Sequence, residues 1–127
     1  MKKSYRKLLN LLGKKVDVFA EISSEPTDKQ VHDGADFLKK SKPELLIALG
    51  GGSVMDCAKC INLMAFNHGS ISDYEGASSN FPNDSPIPLV AMPTTSGTGA
   101  ELAAWAVITD TSRSYKMSLG SPYLLPD

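Results

Sequence analysis

Gly50-Gly51-Gly52-Ser53 closes the apolar run Leu45-Leu46-Ile47-Ala48-Leu49. Successive residues without side chains bare their backbone N–H groups, and a helix starting there adds the positive end of its dipole. Donors that converge on an open space suit a phosphate or a pyrophosphate. The alternative is an ordinary tight strand-to-helix turn, which needs one glycine rather than this run. Ser53 stands three residues before Asp56, a spacing that predicts a Ser N-cap with Asp56 completing a capping box. Asp56 therefore reads as a cap, since a carboxylate beside a pyrophosphate is electrostatically unfavourable.

Pro93-Thr94-Thr95-Ser96-Gly97-Thr98-Gly99-Ala100-Glu101 is a second loop of the same chemical kind, dense in hydroxyls and glycine. Hydroxyls and closely approached backbone amides bond phosphate and ribose oxygens without adding bulk. Local turns built from Ser and Thr in a solvated loop are the alternative reading. Cys57 and Cys60 spell C-x-x-C inside the turns after the glycines, where small apolar residues would serve equally well. No second cysteine pair accompanies them to complete a zinc site, so they are read as core filler.

The elements that must position these loops alternate in type. Residues 2–12 form an amphipathic helix that Gly13 stops, and residues 16–22 read as a strand. A helix spans 27–40, with Thr27 as its cap and Gln30 at the capping-box position. Strands follow at 45–49 and 88–92, separated by a helix over 53–66 and by a Ser-, Asn-, Gly- and Pro-rich loop over 67–86. That loop holds a helical turn near Asp73-Tyr74-Glu75, and residues 103–109 and 115–119 form a β-hairpin around Asp110–Ser114. Strands alternating with helices imply βαβ units and a parallel sheet whose ligands bind beyond the carboxyl ends of the strands. Both glycine-bearing loops would meet at that edge.

The chain has 127 residues, enough for one α/β domain. A net charge of −1 gives no reason to expect a nucleic-acid or membrane-surface partner. No apolar run approaches the roughly 18 residues of a transmembrane helix, and the Lys-rich start lacks a signal-peptide core. With two cysteines and no disulfide framework, a cytoplasmic protein is the expectation.

Taken together, Gly50-Gly51-Gly52-Ser53-Val54-Met55-Asp56-Cys57-Ala58-Lys59 and the threonine loop resemble the iron-containing (group III) alcohol dehydrogenase family. That family carries a G-G-G-S-x-x-D-x-A-K turn and a P-T-T-[SA]-G-T-[GA]-x-E loop in this order. Glu25-Pro26-Thr27, Asp73-Tyr74-Glu75-Gly76, Ile108-Thr109-Asp110, Lys116-Met117-Ser118 and Ser121-Pro122-Tyr123-Leu124-Leu125-Pro126-Asp127 match as well. Glycerol dehydrogenases and dehydroquinate synthases share the glycine turn but not the threonine loop.

The resemblance implies a Rossmann-like parallel sheet with flanking helices and a β-hairpin. It implies NAD or NADP as cofactor, with the pyrophosphate held by Gly51, Gly52 and Ser53. Thr94, Thr95 and Thr98 would contact the cofactor's phosphates, ribose or nicotinamide side. Lys116 would bind near the nicotinamide ribose, or else be a solvated hairpin lysine. Glu25 stands where the family often has Asn on the adenosine side of the cofactor.

In the intact family iron, or another divalent metal, is held by one Asp and three His. The Asp lies a few residues past the Leu-Leu-Pro-Asp stretch, and the histidines lie in a helical domain. His32 and His68 match none of these positions, so the resemblance assigns this chain no metal ligand and no catalytic residue. The expectation is a partial NAD(P)-binding domain, cut at both ends, that acts on a small alcohol or aldehyde only within a complete enzyme. A stand-alone nucleotide- or phosphate-binding module without catalysis is the alternative. Either way, an exposed sheet edge is expected to favour self-association.

Overall fold

The computed structural model describes residues 2–77 and 86–127. Its elements are α1 (Lys2–Leu12), α2 (Asp28–Ser41), β1 (Leu46–Gly50), α3 (Gly52–Ala65), β2 (Gly76–Ala77), β3 (Leu89–Pro93), β4 (Trp105–Asp110) and β5 (Tyr115–Gly120). Short 3-10 turns occupy Ile71–Tyr74, Ala100–Leu102 and Pro122–Leu124. The expected helical turn near Asp73 is the first of these; residues 78–85 of the expected long loop lie outside the described residues.

α3 is the centre of the molecule. One side packs on α2 and the hairpin sheet, where Cys57, Cys60, Ile61 and Met64 meet Val31, Leu38, Ile108, Met117 and Leu119. The opposite side packs on the parallel strands, where Met55 and Ala58 meet Ala48, Leu89 and Ala100. A helix enclosed from both sides is apolar around most of its circumference rather than along one stripe, and every residue from Cys57 to Ala65 is buried. Gly34 on α2 lets the two helices close, because a Cβ there would run into Ile61.

Among the described residues the strands form two sheets. β1 and β3 pair in parallel with Gly50 opposite Pro93, which brings both glycine-bearing loops to one edge as expected. β4 and β5 form the expected antiparallel hairpin, and β2 adds in parallel to β5. The strand expected over residues 16–22 is not formed. The segment carries no regular secondary structure and packs Phe19 on Phe37 of α2, with ring centroids 5.6 Å apart. Its β-branched and aromatic residues favour extension, but a strand also needs a neighbouring backbone to complete its ladder. Among the described residues none pairs with it.

α2 begins as its sequence dictates. Thr27 Oγ1 accepts from the Gln30 amide at 3.3 Å, and Gln30 Oε1 accepts from the Thr27 amide at 3.2 Å. This reciprocal box satisfies two donors that a helix start would otherwise leave open.

Candidate functional site: a glycine turn under a threonine loop

α3 starts two residues earlier than the Ser53 cap predicts. Gly51 is the N-cap, with φ −82° and ψ −172°, and no side chain caps the helix. The first intrahelical bond runs from the Met55 amide to the Gly51 carbonyl at 3.1 Å. The amides of Gly52, Ser53 and Val54 therefore lie ahead of the intrahelical ladder, at the positive end of the dipole.

The three glycines serve different ends, and none of them has a positive φ. A Cβ on Gly50 would fall 2.7 Å from Val54 Cβ, so this glycine lets the helix fold back on its own strand. Gly51 and Gly52 face the second loop instead. A Cβ on Gly51 would stand 3.3 Å from Thr95 Oγ1, and one on Gly52 would stand 3.4 Å from the Cβ and Cγ2 of Thr98. The Thr94 amide donates to the Gly50 carbonyl at 2.8 Å and locks the loops together. Gly97 and Gly99 take φ values of +90° and +68°, which glycine adopts without strain, and so turn the loop back over α3. Gly51, Gly52, Thr94, Thr95 and Thr98 thus converge on one surface, and the three threonines stay exposed.

Ser53 does not cap the helix. Its Oγ donates to the Ser24 carbonyl at 2.6 Å and anchors the segment before α2 onto the first turn of α3. Ser53 also lines a pocket of about 130 Å³ with Ser24, Glu25, Asp56, Thr109 and Lys116. Lys116 Nζ lies 2.8 Å from Glu25 Oε1, and this ammonium holds the Glu25 carboxyl below the usual carboxylate range. The predicted lysine is therefore placed beside the glycine turn, but in an ion pair. Glu25 and Lys116 thus share one end of the site, against the expectation of the adenosine side for Glu25 and the nicotinamide ribose for Lys116.

Asp56 does not cap the helix. Its Oδ2 accepts from the Val107 amide at 3.1 Å, while Oδ1 lies 3.7 Å from Lys59 Nζ. Burial pushes its carboxyl up, partly offset by the Val107 amide and the Lys59 ammonium. Lys59 is fully enclosed and donates to the carbonyls of Ala103 and Trp105 at 2.8 and 2.9 Å. Burial pulls its pKa down, against the pull of Asp56. Because β4 is an outer strand of its sheet, these two side chains occupy backbone groups that a further strand would otherwise take. The Thr109 amide completes this edge by donating to the Pro26 carbonyl at 2.8 Å. Sequence reading missed these roles, since the partners lie 44 to 51 residues away along the chain.

The cysteines and His32 are taken up in the packing and in a backbone contact. Cys57 and Cys60 are free and buried, and burial pushes the Cys57 thiol up to about 12 and the Cys60 thiol well above its ordinary value. His32 Nε2 accepts from the Ile71 amide at 3.2 Å, and His68 lies exposed. Among the described residues no group of His, Cys, Asp or Glu could hold a metal ion. The residues present do not fit the iron centre that the resemblance implies, whereas an uncapped helix start roofed by hydroxyls fits a pyrophosphate.

The choline dehydrogenase of Bacillus subtilis is 42% identical over 113 residues, covering 88% of this chain and 28% of the relative. The NAD-dependent methanol dehydrogenase of Bacillus methanolicus is 41% identical over 114 residues, covering 90% and 29%. The sulfoacetaldehyde reductase of Bifidobacterium kashiwanohense, solved in complex with NAD+, superposes with a TM-score of 0.87 at 30% identity over 98% of this chain and 33% of that one. The NADH-dependent butanol dehydrogenase A of Thermotoga maritima gives 0.85 at 29% identity, over 96% and 31%. The chain thus spans about a third or less of the length of these relatives. The family model for iron-containing alcohol dehydrogenases matches residues 1–127 throughout, and the chain belongs to that family.

Proposed function

We propose that this chain is the NAD(P)-binding portion of an iron-dependent alcohol dehydrogenase. The observation that carries the reading is the closure of the Thr95 and Thr98 side chains over Gly51 and Gly52 at an uncapped helix start. Gly51, Gly52 and Ser53 hold the pyrophosphate through the amides at the start of α3. Thr94, Thr95 and Thr98 supply hydroxyls to the phosphate, ribose or nicotinamide side, and Lys116 serves the nicotinamide ribose. The bound nicotinamide would supply the hydride-transfer chemistry; these residues bind and orient it. NAD is favoured over NADP by relatives whose names specify NAD or NADH.

The substrate of the complete enzyme is a small alcohol or aldehyde, and the iron that would polarise it rests on residues other than those described. No step through a metal is assigned to this chain, which we expect to bind cofactor without oxidising alcohol by itself. Its reduced, buried thiols suit the cytoplasm. Self-association remains part of the proposal. The face of the parallel pair bearing Ile47, Leu49, Val90 and Met92 points away from α3, and β1 has no outer strand neighbour among the described residues.

Calorimetric titration with NAD+, repeated with Gly51→Val, tests the reading. Saturable binding that the valine abolishes supports it. Heat at millimolar cofactor that is absent from both proteins, or equal in both, refutes the glycine turn as the cradle.

A further inference from the structure

We propose that Glu25 is a built-in competitor for the cofactor: it neutralises Lys116 in the empty site, and an anionic ligand must take Lys116 from it. The inference rests on reading the glycine turn as a dinucleotide cradle.

Backbone contacts on a single residue set the pair. Thr109 lies opposite Lys116 across the β4–β5 ladder, and its amide grips the Pro26 carbonyl at 2.8 Å. Thr27 and Thr109 also form an isolated parallel bridge. Glu25 and Lys116 are thus brought in from two segments that are both locked onto Thr109, and their charges meet at 2.8 Å. The segment carrying Glu25 is also tied to the cradle, because Ser53 on the first turn of α3 holds the carbonyl of Ser24.

Charge in the pocket makes the pairing consequential. Its lining side chains include two carboxylates, Glu25 and Asp56, against one cation, Lys116. Asp56 is engaged with the Val107 amide, and the nearby Lys59 ammonium is enclosed and spent on two backbone carbonyls. Lys116 is therefore the cation available to an entering phosphate or ribose, and Glu25 cancels it. With Lys116 and Glu25 side chains 62% and 66% exposed, the pair is solvated and exchangeable. Exposed pairs control affinity by about two- to fivefold rather than by orders of magnitude. Glu25 accordingly tunes the strength of binding and leaves its geometry to the glycines.

The test is NADH titration of the wild-type chain, Glu25→Gln, Lys116→Met and the double variant, at low and at physiological salt. Thermal melts confirm that these surface changes leave the fold intact. Glu25→Gln is expected to tighten binding about two- to fivefold at low salt. The gain should shrink with added salt and vanish when Lys116 is Met. If Lys116→Met weakens binding while Glu25→Gln leaves it equal or weaker, Lys116 meets the ligand without displacing Glu25, and the competitor role is overturned alone. If none of the four proteins binds NADH, the cradle reading falls and this inference falls with it.

Discussion

Replacing Lys59 with Met keeps the length of the side chain while removing its ammonium. Two part-buried carbonyls, of Ala103 and Trp105, then lose their donor, and Asp56 loses the cation 3.7 Å away. A buried acceptor left unsatisfied costs about 1–3 kcal/mol. Part of that loss is returned, because burial disfavours the charged lysine in the native state. The net destabilisation should be on the order of 2–4 kcal/mol. At this chain length that lowers Tm by roughly 8–16 °C. Urea denaturation followed by far-UV circular dichroism measures it directly. Since burial lowers the pKa of Lys59 in the native state, the unfolded chain holds the extra proton between the native and ordinary lysine values. Wild-type stability relative to Lys59→Met should therefore rise with pH across that alkaline window. A variant within about 0.5 kcal/mol of wild type, a change typical of neutral surface sites, would refute the view that Lys59 braces the edge of β4.

The glycines should separate by role. Gly50→Ala should cost about 1–3 kcal/mol by crowding Val54, while Gly52→Ala should weaken NAD+ binding with little change in the urea midpoint. Acid stability should depend on Asp110, whose carboxyl is held down to about 2 by Ser112 and Arg113. Its stabilisation is complete above the ordinary Asp value of 3.8 and lost as pH falls toward 2, so Asp110→Asn should flatten the acid limb of an unfolding profile there. Cys57 and Cys60 should resist a thiol-reactive dye in the native chain and react fully in denaturant, since both are buried and their thiols are held protonated.

Local signals carried the site further than they carried its supports. The glycine run and the threonine loop are each a short continuous segment, and the parallel register of β1 and β3 was enough to bring them together. The Thr27–Gln30 box formed because both partners lie within one turn. Ser53 and Asp56 have the same local spacing and did not form a box. Ser53 found the Ser24 carbonyl and Asp56 found the Val107 amide, partners visible only once the chain is folded. Residues 16–22 failed as a strand for a related reason: propensity is local, but a ladder is made by two backbones. Glu25 was legible as a departure from the family pattern, while its pairing with Lys116 depended on Thr109 joining two distant segments.

The most direct test of the central claim is an amide-resolved NMR titration of the chain with NAD+. The account predicts saturable shifts concentrated at Gly51–Val54 and across residues 94–99, with smaller ones near Glu25 and Lys116. Saturable shifts elsewhere with these amides unmoved, or no shifts at millimolar NAD+, would contradict it.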